Sequence, residues 1–106
     1  METKFLFVFQ RDLLMRVDYE EIQVVESRRN YCRIKTARGT FTVQKRLCQL
    51  QQLLPAQEFC RIHRGYIIRF DQLNYIASRY LVVGVNEVPI GDKYRKHFRG
   101  RLKILT

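Results

Sequence analysis

Residues 31–55, YCRIKTARGTFTVQKRLCQLQQLLP, change hydrophobic period partway along, and that change constrains the fold more than any other feature. In YCRIKT, Cys32 and Ile34 point one way while Tyr31, Arg33 and Lys35 point the other, the alternation of a half-buried strand. Arg38, Gly39 and Thr40 make a hairpin-like turn into FTV. Val43, Leu47, Leu50 and Leu54 then fall at i, i+4, i+7 and i+11. This spacing predicts one stripe of a helix that can start at Thr42 and must stop by Pro55. A chain that carries both periods must build both kinds of element.

The remaining segments extend the pattern. FLFVF and LLMRV flank Gln10, Arg11 and Asp12, two short strands around a polar turn, and IQVVES over residues 22–27 is a third β-rich run. Residues 59–70, FCRIHRGYIIRF, return to strand composition; on one alternating strand Ile62 and Arg64 face opposite to Arg61, His63 and Gly65. LNYIAS and YLVVGV read as a further meander, and EVPIGD as a short extended piece ending at Gly91. Asp92 then stands where it caps a last helix, with Tyr94, Phe98, Leu102 and Leu105 as its apolar stripe and Lys96, Arg99 and Lys103 as its basic one. Gly100 weakens that helix by about 1 kcal/mol relative to Ala. The expected architecture is mainly β with two helices, an α+β fold. A length of 106 residues and a hydrophobic fraction of 46% give one domain with a modest core, spanning residues 1–106.

Charge narrows the function. Twenty Lys and Arg against ten Asp and Glu give a formal net charge of +10, which points to an anionic partner: nucleic acid, acidic lipid or an acidic protein. The excess is local. Residues 1–24 hold three basic and five acidic side chains, residues 25–47 hold seven basic against Glu26 alone, residues 58–70 are net +2, and residues 93–106 add six basic with no acid. Three basic segments converging on one face make the footprint of a phosphate-backbone binder, and a solvated face that keeps the chain soluble is the plainer alternative. In ESRRNY, residues 26–31, two guanidiniums, an amide and a phenol stand within four positions between two strands. Arginine bonds two guanine acceptors in the major groove, asparagine does the same for adenine, and both also contact phosphate. An ordinary polar hairpin loop has the same composition.

Other classes find little support. Ser27 and Ser78 are the only serines and His63 and His97 the only histidines, none in a GxSxG setting, and no phosphate-binding glycine loop is present. Asp71, Glu87 and Asp92 are scattered singly, so neither an enzyme nor a metal or other cofactor is expected. Cys32, Cys48 and Cys60 are odd in number and form no CxxC; they are expected as core residues in a reducing cytoplasm. No signal peptide or membrane span is read, because the apolar start is five residues long and no stretch approaches the roughly 18 apolar residues of a span.

These residues carry a resemblance. FCRIHRGYIIRFDQL is similar to the F-x-R-x-H-R-S-Y-I-V-N-x-x-x-I signature of the LytTR DNA-binding domain, the output domain of a class of bacterial response regulators. DYEEIQVVESRRNYCRIKTARGTFTV resembles that family's opening, LCQLQQLLP its amphipathic helix, and EVPIGDKYRKHF its closing loop and terminal helix. FLFVFQRDLLMRV resembles the extra first hairpin of many members, giving a hairpin over residues 1–18 and a core over 19–106. The resemblance implies an elongated set of small antiparallel sheets with helices. It implies binding to duplex promoter DNA through loops that enter successive major grooves, commonly on paired direct repeats that seat a second copy. Carried over, the first contacting loop is Arg28, Arg29, Asn30 and Tyr31, the second His63, Arg64 and Gly65, and the third Gly91, Asp92 and Lys93, with Arg95 and Lys96 in reach of phosphates.

The sequence departs from the family pattern in places. Gly65 replaces a usual Ser, which removes a hydroxyl contact but leaves a backbone N–H; Arg69 stands where Asn is frequent; Gly91-Asp92 replaces Ser-Arg. Asp92 can accept from cytosine or cap the helix, and the cap is the reading adopted. Arg61 and Arg69 are expected to support the fold. A receiver domain or upstream kinase belongs to the picture if the chain is part of a longer regulator. Two rivals remain: a protein-interaction module using exposed aromatics, and a basic domain that binds nucleic acid unselectively.

Overall fold

The computed structural model describes residues 3–106. Ten short strands and two helices follow along it, each helix after five strands: β1 (Phe5–Gln10), β2 (Leu13–Asp18), β3 (Ile22–Ser27), β4 (Cys32–Thr36), β5 (Gly39–Val43), α1 (Leu47–Leu53), β6 (Phe59–His63), β7 (Tyr66–Arg69), β8 (Leu73–Ile76), β9 (Tyr80–Val83), β10 (Asn86–Pro89) and α2 (Asp92–Gly100). They form three antiparallel sheets: β1-β2, a five-stranded β5-β4-β3-β7-β6, and β10-β9-β8. The molecule is elongated, 49 × 32 × 24 Å. Both features agree with the expectation of small antiparallel sheets with two helices. Residues 1 and 2 of the expected hairpin segment lie outside the described residues.

The central sheet is covered on both faces, which explains why its inner strands read as nearly unbroken apolar runs. Ile22, Val25, Phe59 and Ile67 join a cluster with Val8, Val17, Leu47, Leu50 and Leu54 from the β1-β2 hairpin and α1. Val24, Cys60, Ile62 and Ile68 join a second cluster with Leu81, Val83, Val88 and Phe98 from the third sheet and α2. Along β3, Ile22 and Val25 share a side only because the register against β4 shifts between Ile22 and Val24, a bulge that breaks strict alternation. Arg38 pins the first hairpin to this body: its Nε donates to Glu21 Oε1 at 2.6 Å and its Nη2 to the Arg16 carbonyl at 2.8 Å.

Five expectations need correction. The first helix does not begin at Thr42, because Thr42 and Val43 pair with Arg33 and Cys32 in the β4-β5 ladder, where a run rich in β-branched side chains is at home. It begins at Leu47, where the Gln49 side chain reaches back to accept the Arg46 N–H at 2.9 Å. Residues 59–70 are two strands, not one; Arg64 and Gly65 form the turn, and His63 pairs with Tyr66. Asp92 is not the cap of α2. Gly91 holds that position, and a side chain there would press its Cβ to 3.1 Å from the Tyr94 ring and 3.4 Å from His63 Cα. The apolar stripe of α2 stops with the helix at Gly100: Leu102 packs into the second cluster beyond it, and Leu105 is exposed. Cys32 and Cys60 are buried as expected, whereas Cys48 lies on the exposed side of α1.

Candidate nucleic-acid interface

The first loop leaves the sheet at the end of β3 and closes on itself, the Arg28 N–H donating to the Tyr31 carbonyl at 2.8 Å. Arg28, Arg29 and Asn30 are exposed there and Tyr31 is half-buried. One residue earlier, the Ser27 N–H donates to the Gly65 carbonyl at 2.8 Å, so main-chain bonding joins the first loop to the β6-β7 turn that exposes Arg64. The N-terminus of α2 adjoins the same turn, with the Gly91 N–H donating to the Ile62 carbonyl at 2.8 Å. The structure therefore brings two of the three expected loops together directly and seats the third against His63.

The turn is held from within. His63 Nδ1 accepts the Gly65 N–H at 3.0 Å, which leaves Nε2 as the protonated position of the neutral ring. The backbone N–H left by the missing Ser hydroxyl is thus already bonded, contrary to the expectation that it stays available. Arg61 donates from Nε to the His63 carbonyl at 3.3 Å, from Nη2 to the Arg64 carbonyl, and from Nη1 to Gln51 Oε1 at 3.2 Å. Its guanidinium also lies 5.8 Å from the Tyr94 ring centroid. One arginine thereby ties the turn to both helices, the supporting role expected of it. Arg69, buried beneath Glu58 (2.7 Å) and Asp71 (2.9 Å), likewise belongs to the fold and not to this face.

The third segment is weaker than expected. Lys93 and Lys96 are exposed on α2, but Arg95 is half-buried and lies 3.3 Å from the Asp92 carboxylate. Two cations not among the expected contacts stand beside the first loop instead. Lys45 and Arg46, in the link between β5 and α1, line a cleft of ≈ 330 Å³ together with Arg28, Arg29, Asn30, Arg61 and Arg64. Their signal was the helix boundary: assigned to a helix starting at Thr42, they could not be seen as a loop facing the first one.

Glu26 is the acid within this basic region. Its side chain is 8% exposed and pairs with Arg28 Nη2 at 2.6 Å and Lys35 Nζ at 2.9 Å. Burial pushes its carboxyl up, but Lys35, Arg28 and Arg33 together outweigh burial and hold it below the ordinary value of 4.5. Glu21 is lowered too, mainly by its hydrogen bond from Arg38. A carboxyl with a folded-state pKa below its unfolded value stabilises the fold above the unfolded value and loses that contribution as pH falls through the folded one. Thermal unfolding midpoints are therefore expected to hold steady above pH 4.5 and to fall below it. Glu26→Gln should flatten that acid limb, and a limb unchanged by the substitution would assign it elsewhere.

No helix is long and apolar enough to cross a membrane among the described residues. A search of curated proteins found no match. Among solved structures, the LytTr DNA-binding domain of a protein described as a methyl-accepting/DNA response regulator from Bacillus cereus superposes with a TM-score of 0.87. It is 21% identical, and the match covers 97% of this chain and 100% of that one. The strand and helix order described above is thus a fold shared at low sequence identity. The model of the LytTr DNA-binding domain family matches residues 12–103, from the turn of the first hairpin through α2. The chain belongs to the LytTr DNA-binding domain family.

Proposed function

We propose that this domain reads specific sequences in duplex promoter DNA as the output module of a bacterial transcriptional regulator. The observation that carries the reading is the main-chain bond between the first loop and the β6-β7 turn, which sets Arg28, Arg29, Asn30 and Arg64 side by side on one exposed face. Base edges are read by Arg29, Asn30 and Arg64, and by Arg28 in the orientation its ion pair allows. Tyr31 and His63 shape the two loops, while Lys45, Arg46, Lys93 and Lys96 supply phosphate contacts that set register without reading sequence. Arg95 joins them only when it leaves Asp92. A receiver domain or an upstream kinase would supply the signal, and paired direct repeats would seat a second copy.

Selection of bound duplexes from a random pool, followed by sequencing, tests the reading. A short enriched motif is expected. Arg64→Ala should then cost on the order of 1–3 kcal/mol on that motif and relax preference at one position, with little loss on random duplex. Equal loss on both would make Arg64 a phosphate contact only.

A second reading rests on the first hairpin. Its outer face carries Phe7, Phe9 and Leu14 in the open, Phe9 being 72% exposed, while the inner face packs in the core. A hairpin apolar on both faces fits a protein-docking role for that end of the molecule. An affinity for partner or target that ignores salt would favour it.

A further inference from the structure

The cleft holds six cations and an asparagine, one of the cations paired with a buried acid, and the position of that acid is informative. Glu26 is the penultimate residue of the central strand β3, flanked by Arg33 across one ladder and Tyr66 across the other, just before the loop that begins at Arg28. Both carboxylate oxygens are engaged, Oε1 by Arg28 at 2.6 Å and Oε2 by Lys35 at 2.9 Å. The Arg28 side chain is about half exposed, and it meets the carboxylate through Nη2. A charge so buried is costly to keep unless its partners are fixed, and the fixing works both ways. An arginine whose Nη2 is drawn to a buried anion has fewer orientations open to its remaining donors, and two-point base contact needs those donors at one angle.

We propose that Glu26 is the positioning residue of the first loop: its buried carboxylate holds Arg28 at the angle for base contact and withholds Arg28 and Lys35 from unselective phosphate binding. The assignment rests on the DNA-reading function above and adds to it a source of discrimination that never touches DNA. Each cation released to phosphate steepens the dependence of log affinity on log salt by about 0.9. Removing the carboxylate therefore frees the two cations to bind any sequence, while the fixed angle is lost.

Wild type, Glu26→Gln, Arg28→Ala and the double variant are titrated with the selected duplex and with random duplex at several salt concentrations. Circular dichroism first establishes that each is folded. Glu26→Gln should bind random duplex roughly tenfold more tightly at low salt, with a steeper salt slope. Its ratio of specific to random affinity should fall about tenfold. In the Arg28→Ala background the same substitution should leave that ratio unchanged. A ratio and slope equal to wild type in Glu26→Gln, or an equal fall of the ratio in both backgrounds, overturns the assignment. If Glu26→Gln does not fold, Arg28→Lys decides: it keeps the charge but lacks the planar fork, so the ratio should fall with the slope unchanged, and an unchanged ratio overturns the assignment. Wild type that binds all duplexes alike would remove the reading function itself, a failure distinct from either of these.

Discussion

Phe98→Ala is expected to lower the unfolding free energy by about 3–5 kcal/mol, a large share of the total for a domain of this size. Phe98 is 0% exposed and is the largest fully buried side chain. Its ring stacks on Phe70 with centroids 6.2 Å apart, and it anchors α2 in the second hydrophobic cluster. Little else on that helix points inward. Arg101 reinforces the same attachment from just beyond the helix, donating to the Phe59 carbonyl at 2.9 Å and lying 4.6 Å from the Phe70 centroid. Urea denaturation measures the loss, and Phe98→Leu, which keeps most of the buried volume, should cost clearly less. An Ala variant as stable as wild type would mean that α2 is not held by this side chain.

The affinity for duplex DNA should fall steeply with salt, by about a hundredfold between 50 and 200 mM if four cations meet phosphates. The four assigned to phosphates, Lys45, Arg46, Lys93 and Lys96, are all exposed. A cation that meets a base edge, or that Glu26 holds back, adds nothing to the slope, and each further phosphate contact adds about 0.9. Titration at four or more salt concentrations gives the slope directly. A slope near zero would shift the binding role to the apolar hairpin face.

Much of this was legible in the sequence where a pattern was local. The alternation of Cys32 and Ile34, the stripe of Leu47, Leu50 and Leu54, and the spacing of FCRIHRGY all survive in the structure. Where two signals competed, the reading went to the wrong one. Val43 fits the helix stripe by spacing, yet the ladder to Cys32 holds it in a strand, because only the folded chain shows that β4 has a free edge to pair. Gly65 alone marked the turn in an otherwise strand-like run, too faint a signal to split residues 59–70 in two. The roles of Glu26, Lys45 and Arg46 depend on which loops meet in space. No spacing along the chain encodes that Ser27 donates to Gly65.

That bond, and the one from Gly91 to Ile62, run between main-chain atoms. Nearly any residue can make such a bond, so the frame beneath the exposed face does not depend on the side chains that the face displays. If Arg29, Asn30 and Arg64 read bases as proposed, they work like movable type in a fixed tray: the letters can be changed while the spacing of the line is kept. Under that proposal a lineage, or an experimenter, can retune what the domain recognises without first rebuilding the domain.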